Sequence, residues 1–182
     1  MDLDDAMVSE YMDAVRRSGS FEFALPAMVL HPEIERAHFH LIYATRHPKG
    51  VEVFKETEKA TMKDMLRVRS DAQRRREKEQ TGQGDLFEAL GILPPAASRY
   101  YDQLRDRYST DARQGVLNIL ESRRRLSYDD AWVAALSRPL VWESDLKAWI
   151  RDWEKNGVLT VEGLQERERV PHRERGQMLV KL

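Results

Sequence analysis

Ser144-Asp-Leu-Lys-Ala-Trp-Ile-Arg-Asp-Trp-Glu-Lys-Asn-Gly157 sets Leu146, Trp149, Ile150 and Trp153 at i, i+3, i+4 and i+7, which is one face of a helix. Ser144 is the expected N-cap, Lys155 lies in the last turn, and Gly157 suits the residue after the helix end. Val158-Leu-Thr-Val161, a charged wing-like loop and Gln177-Met-Leu-Val-Lys-Leu182 follow. The apolar run Leu140-Val-Trp142 and a short helix over Ser127–Ser137, ended by Pro139, come before. Ser127-Tyr-Asp-Asp130 is a capping box with Asp in the place of Glu. Two further helices, Ser98 to Tyr108 and Ser109 to Arg123, are expected upstream, with Tyr101, Leu104, Val116, Leu117 and Leu120 as core candidates. Helix, short strand, helix, strand, loop, strand is the order of a winged helix-turn-helix. That order predicts an architecture and leaves the activity open.

The chain has 182 residues, enough for one medium domain or two small ones. Its hydrophobic share of 41% supports a core, and its charged share of 34% implies long solvated faces. With 30 basic and 31 acidic residues the net charge is −1, so the whole molecule has no electrostatic bias toward nucleic acid or an acidic membrane. The absence of cysteine removes disulfides, thiolate zinc sites and Cys nucleophiles together. Met-Asp-Leu-Asp-Asp at the start is acidic, without the apolar core of a secretory signal. No stretch of about 18 apolar residues is present, so no membrane span is expected. These features predict a protein of a bacterial-type cytoplasm.

Asp4 to Arg17 carries Val8, Tyr11, Met12 and Val15 at helical spacing, and Ser18-Gly-Ser20 ends that helix. Phe21–Leu30 and Ala37–Thr45 read as two strands joined by His31-Pro-Glu-Ile-Glu-Arg36. Pro26 lacks a ladder donor, which places its strand at an edge or a bulge. Both strands are apolar on both faces, as in a layered sheet, yet a lone two-stranded hairpin is marginal in water. The hairpin is therefore expected to be completed by another protein chain, a second copy or a separate subunit. A helix opened by Pro48 and Gly50 follows, with Val51, Phe54, Thr61, Met65 and Val68 on one side.

His38-Phe-His-Leu-Ile-Tyr-Ala-Thr-Arg-His-Pro-Lys-Gly-Val-Glu-Val-Phe54, with its flanking helix, edge strand, charged helix and C-terminal winged helix, resembles the closing part of the three-Cys-motif partner (TcmP) family. The resemblance implies that the hairpin is the last two, antiparallel strands of a Rossmann-type methyltransferase-like domain. It also implies a setting beside a radical-SAM-like three-Cys protein. A methyltransferase of that type needs a Gly-rich loop after its first strand and a carboxylate for the ribose. No G-x-G-x-x-G occurs here; Gly82-Gln-Gly84 lies in a polar stretch with no strand before it. No cofactor and no catalysis are therefore expected of this chain alone.

Arg67 to Glu79, with Arg69, Arg74, Arg75, Arg76 and Lys78 among Asp71, Glu77 and Glu79, is either a solvated helix end or a phosphate-contacting stripe. Gln80-Thr-Gly-Gln-Gly-Asp85 reads as a flexible break. Within it, Gln83-Gly-Asp-Leu-Phe87 is similar to the peptide that docks replication and repair proteins on the bacterial sliding clamp. Gln83 would fill the polar pocket and Leu86 with Phe87 the apolar one, with Gly84 where a Leu is commoner and Asp85 between. The alternative is a short amphipathic tether built on Leu86, Phe87, Leu90, Ile92 and Leu93.

The four tryptophans, 132, 142, 149 and 153, are dense enough to form one core rather than a base-stacking platform. If the domain contacts DNA or a protein, helix 144–157 and the loop Glu162–Gly176 are the contacting elements. Their charges balance. Lys147, Arg151 and Lys155 stand against Asp145, Asp152 and Glu154, while Arg167, Arg169, Arg173 and Arg175 stand against Glu162, Glu166, Glu168 and Glu174. Arg123-Arg124-Arg125 is the one dense basic patch. The candidate contact residues are thus Arg123, Arg124, Arg125, Lys147, Arg151, Lys155, Arg167, Arg169 and Arg173. His38 and His40 share a strand face, a metal-ligand spacing with no third ligand evident. Arg46-His47-Pro48-Lys49-Gly50 ends a strand at a helix start, where free amides could hold an anion.

The expected fold is α+β. It comprises a helix-flanked antiparallel β-hairpin, the remnant of a Rossmann-like sheet, over 1–79, a linker at 80–97 and a winged helix-turn-helix domain over 98–182. The expected function is a non-catalytic interaction module contacting duplex DNA or a protein partner in a bacterial DNA-related or defence setting. The C-terminal half of a split or truncated methyltransferase-like enzyme is the alternative.

Overall fold

Two apolar runs on either side of a polar turn bring residues 23–45 together as a hairpin, and helices grow from both of its ends. The computed structural model describes residues 3–81 and 96–182. Among them are five helices and two small antiparallel sheets, an α+β arrangement. The elements run α1 (Leu3–Gly19), β1 (Phe23–Leu30), β2 (Ala37–Thr45), α2 (Pro48–Thr81), α3 (Ala96–Arg123), β3 (Arg125–Ser127), α4 (Tyr128–Leu136), α5 (Glu143–Lys155), β4 (Leu159–Glu162) and β5 (Met178–Lys181). The chain divides into two compact units, Met1–Asp106 and Arg107–Leu182, and the division falls inside α3. Most of the expected linker, with Gln83, Asp85, Leu86 and Phe87 of the clamp-like peptide, lies outside the described residues. No helix among the described residues is long and apolar enough to cross a membrane.

In the first unit β1 and β2 pair from Phe23↔Thr45 to Val29↔Phe39, and the register shifts by one at Leu30↔Ala37. The ladder runs unbroken across Pro26↔Ile42, as it can in a two-stranded sheet, where a residue without N–H faces a free edge. The two strands are not equivalent. Phe23, Ala24, Leu25, Met28 and Leu30 of β1 are buried, whereas Phe39 and Leu41 of β2 are 50% and 52% exposed. Helix α1 packs more on β1 than on β2, whereas α2 touches both. Phe54 of α2 stacks on Tyr43 with ring centroids 4.8 Å apart, and further along Met65 Sδ accepts the N–H of Leu30 at 3.3 Å. The helix therefore starts beside the end of β2 and runs out along β1. Its first turn approaches so closely that a Cβ on Gly50 would sit 2.7 Å from Thr45 Oγ1 and 2.9 Å from the Tyr43 hydroxyl.

Most of the described charged end of α2 is exposed, as its composition suggests. Arg74 pairs with Asp71 at 3.0 Å, and Arg67 lies 3.6 Å from Asp64, both along the helix surface. Arg69, however, is only 1% exposed. It donates to the Ile34 carbonyl at 3.3 Å and lies over the Tyr100 ring, and burial lowers its pKa. It thus fastens the hairpin turn to the helix, a role that its place in a run of charges hid.

In the second unit the three-stranded sheet has the order β3-β5-β4, every pair antiparallel. The last strand enters between the two earlier ones, so the sheet closes only when the C-terminal residues arrive. Val116 and Leu120 of α3, Ala131, Trp132 and Leu136 of α4, Leu146, Ile150 and Trp153 of α5, and Leu159 and Leu179 of the sheet are all buried. Trp142 and Trp149 are buried as well, so all four tryptophans belong to this core.

Two expectations about helices are corrected. Ser98–Tyr108 and Ser109–Arg123 form one continuous helix, α3. Ser109-Thr110-Asp111 has N-cap chemistry, but no Gly or Pro stops the preceding turn, so the backbone ladder continues. Helix α5 begins at Glu143, not after Ser144, because the Asp145 carboxylate accepts the Trp142 N–H at 2.8 Å. Ser144 is left exposed in the first turn.

Candidate nucleic-acid interface

Helices α4 and α5 are set by their ends. The Ser127 side chain accepts the N–H of Asp130 at 3.0 Å to start α4. After α5, Asn156 is the C-cap and Gly157 takes a φ of +66°, the left-handed turn that glycine adopts freely. Between the helices Leu140 holds a φ of +58°, costly for a side-chain-bearing residue, while its side chain is fully buried. With Leu146, Trp149, Ile150 and Trp153 turned inward, the outward stripe of α5 is Ser144, Ala148, Arg151 and Lys155. It is narrow and small at its N-terminal end and cationic at its C-terminal end.

Because it begins at Glu143, the helix carries four acids against three bases, and its contacts distribute that charge unevenly. Asp145 is occupied by the Trp142 amide. Asp152 is held by Arg113 from α3 and by Asn156 Nδ2 at 3.0 Å. Glu143 accepts from Lys147 at 2.7 Å and from the buried Tyr128 hydroxyl at 2.9 Å. Burial alone would raise the Glu143 pKa, but these bonds and the Lys147 charge outweigh it and leave it lowered. The same environment, burial first and then the Glu143 charge, pushes the Tyr128 phenol far up, so it remains a donor. Pairing leaves the total unchanged and distributes it: Glu143 and Asp152 are tied to Tyr128 and Arg113, Asp145 to the start of the helix itself, and Arg151 and Lys155 are exposed with no ion pair among the described residues. Arg151 Nε donates only to the Lys147 carbonyl at 3.3 Å, and Glu154 is the acid of α5 with no ion pair among the described residues.

The loop between β4 and β5 is fixed from inside. Gln177, 1% exposed, accepts the His172 N–H at 2.6 Å and donates to Glu168 Oε2 at 2.7 Å and to the Gly163 carbonyl at 3.4 Å. Glu168 also accepts the Gln165 N–H at 3.0 Å and pairs with Arg175. The Gln165 bond leads the effects that hold its pKa below the ordinary value. From α4, Asp129 accepts the Glu174 N–H at 3.2 Å and Arg173 Nε at 3.4 Å. Arg173 lies 4.3 Å over the Trp132 ring and its side chain is only 12% exposed.

The nine candidate contact residues therefore separate into two groups. Arg125 is tied to Glu162 at 2.6 Å, Lys147 to Glu143, and Arg173 to Asp129 and Trp132. Arg123, Arg124, Arg151, Lys155, Arg167 and Arg169 are exposed and form no ion pair among the described residues. Arg124 has a φ of +62° at the α3–β3 junction, and its carbonyl accepts the Lys181 N–H at 3.0 Å. The next N–H, of Leu182, bonds to the Val158 carbonyl at 3.2 Å. These bonds place the Arg124 backbone and Val158, just after α5, on either side of the last residues of β5. Arg167 and Arg169 lie on the loop at the other end of β5. Arg113, Asp129 and Gln177, which shape the surface, are not legible in the sequence, since their partners lie 39, 45 and 9 residues away respectively.

The other sequence candidates are accounted for locally. The His38 ring meets His31 edge to face at 5.4 Å, and no group of three His, Cys, Asp or Glu able to hold a metal occurs among the described residues. At Arg46–Gly50 two of the amides are used within the turn: His47 N donates to Thr45 Oγ1 at 3.1 Å and Gly50 N to the His47 carbonyl at 2.9 Å. Arg46 itself is turned onto the Gly19 and Ser20 carbonyls at 2.7 and 3.2 Å. No protein-family model, no curated protein and no solved structure matches this chain.

Proposed function

We propose that the unit Arg107–Leu182 is a winged helix-turn-helix that contacts duplex DNA, and that the chain acts as an interaction module and not as a catalyst by itself. The reading draws on the order helix, strand, helix, helix, strand, loop, strand, with β5 between β3 and β4. In such a module α5 enters the major groove and the β4–β5 loop meets the backbone beside it. The observation that carries the proposal is the outward stripe of α5, where Arg151 and Lys155 are exposed while Asp152, Asp145 and Glu143 are bound elsewhere. Arg167 and Arg169 on the loop and Arg123 and Arg124 at the α3–β3 junction are further exposed cations of the same unit.

The test is fluorescence anisotropy with labelled duplex DNA at a series of salt concentrations. If all six exposed cations met phosphates, log K would fall against log salt with a slope of about −5. Replacing both Arg151 and Lys155 by Glu should weaken binding by at least about tenfold at low salt and flatten that slope. Duplex binding that ignores both salt and this double substitution refutes the proposal.

A second reading has one observation in its favour. The antiparallel β1–β2 hairpin with its open β2 side fits the last two strands of a methyltransferase-like sheet in the three-Cys-motif partner family, so the chain would be the C-terminal part of a split enzyme. Calorimetry with S-adenosylmethionine, silent on this chain and positive only with an added subunit, would support it.

A further inference from the structure

We propose that β2 pairs with β2 of a second copy of this chain, antiparallel about a two-fold axis, with Leu41 opposite Leu41 of that copy. The two sides of the hairpin are finished differently. The outer side of β1 carries Pro26, which has no N–H, and its Leu30 N–H is already given to Met65 Sδ at 3.3 Å. Apart from the register shift at His38, the outer side of β2 has no such closure among the described residues. Its nine residues, Ala37-His-Phe-His-Leu-Ile-Tyr-Ala-Thr45, include no Pro, Lys, Arg, Asp or Glu. Those are the residue types with which exposed edges are normally protected from pairing. Next to this bare edge stand Phe39 and Leu41, half exposed.

A second copy is the occupant that this edge fits. An antiparallel strand pair is self-complementary about a two-fold axis. With Leu41 at the centre, Phe39 to Tyr43 pair in regular register, His38 at the register shift falls opposite Ala44 of the copy at each margin, and no formally charged side chain meets its like. Phe39 falls opposite Tyr43 of the copy, an aromatic cross-strand pair, and Tyr43 is already stacked on Phe54. Just beyond the ladder Arg36 would meet Arg46 of the copy, but Arg46 is turned away onto the Gly19 and Ser20 carbonyls and the Phe21 ring. The ladder is about 31 Å long at the usual strand rise. With the half-exposed side chains it covers roughly 500 Å² per partner, at the low end of specific interfaces. A small interface that orders no further chain is expected to be in exchange with monomer, so the equilibrium is sought at micromolar concentrations. The proposal does not depend on the DNA reading, since it concerns only the first unit.

Sedimentation velocity on the full chain, from about 2 to about 200 µM, should show a monomer–dimer equilibrium. Leu41→Lys should weaken it at least about tenfold with an unchanged circular dichroism spectrum, because Leu41 is half exposed in the single chain. Leu41→Cys gives the protein its only thiol. Directly opposed strand residues have Cα atoms about 4.5–5.5 Å apart, within disulfide reach. Mild oxidation should therefore link Leu41→Cys into a dimer far faster than Asp64→Cys, whose position on α2 is exposed and remote from β2 in sequence. A chain that stays monomeric throughout the range, a Leu41→Lys variant that dimerises as tightly as the parent, or equal cross-linking of the two thiol variants would each overturn the proposal.

Discussion

Replacing Gln177 by Leu should loosen the β4–β5 loop and weaken the second unit by about 2 kcal/mol. The amide makes three bonds: it accepts His172 N–H at 2.6 Å and donates to Glu168 at 2.7 Å and to Gly163 at 3.4 Å. Leucine keeps the bulk of the stem and removes all three. The His172 amide is the main loser, since a buried donor without an acceptor costs about 1–3 kcal/mol. Glu168 loses less, because Arg175 and the Gln165 amide still serve it. The bond to Gly163 is long, so its loss is minor. Partial opening of the loop to water limits the total. The four tryptophans all lie in Arg107–Leu182 and are buried there, so their fluorescence follows this unit's unfolding alone. With a urea m-value of about 1 kcal/mol/M for a unit of this size, the midpoint should fall by about 2 M. Hydrogen exchange at His172 should speed up by roughly thirtyfold. A midpoint within about 0.5 M of the parent, with His172 still protected, would refute the view that Gln177 holds the loop.

Three further outcomes are expected. Leu140→Gly removes left-handed backbone strain of about 1–2 kcal/mol but also a fully buried side chain worth about 2–5 kcal/mol, so the variant should be less stable by tryptophan-monitored denaturation despite a better φ. Arg113→Ala releases Asp152 beside the outward stripe of α5, so duplex binding should weaken several-fold, while stability changes by less than about 1 kcal/mol because the pair is exposed. Glu168 has its pKa depressed in the folded chain, so its stabilising contribution is complete above the ordinary value of 4.5 and is lost as pH falls through the lower folded value. Exchange of the Gln165 amide should therefore accelerate, relative to its intrinsic rate, only below about pH 4.5, and acceleration between pH 5 and 7 would contradict the assignment.

Periodicity revealed most of what depends on neighbours in sequence. The stripe Leu146, Trp149, Ile150 and Trp153 is buried, Ser127 caps its helix, and Gly157 turns left-handed as its position requires. The hairpin was equally legible, because two apolar runs, Phe21–Leu30 and Ala37–Thr45, flank the polar turn His31–Arg36. Contacts between distant elements were not. Lys147, Arg151 and Lys155 look alike in a charge count, yet Lys147 is spent on Glu143 and the other two are not. Arg173 reads as one more basic loop residue, but Asp129 and Trp132 make it part of the fold. Arg69 sits in a run of charges and is nevertheless buried against Ile34 and Tyr100. Local pattern fixes which face of an element turns inward; it does not say which distant residue neutralises a charge.

Stapling of the β4–β5 loop at Gly163, Glu168, His172 and Glu174 also shapes the thermodynamics of any encounter there. A partner meets a contour that is already formed, so docking is close to rigid-body. The heat-capacity change on association should then scale with contacted surface alone, without the large excess that accompanies coupled folding.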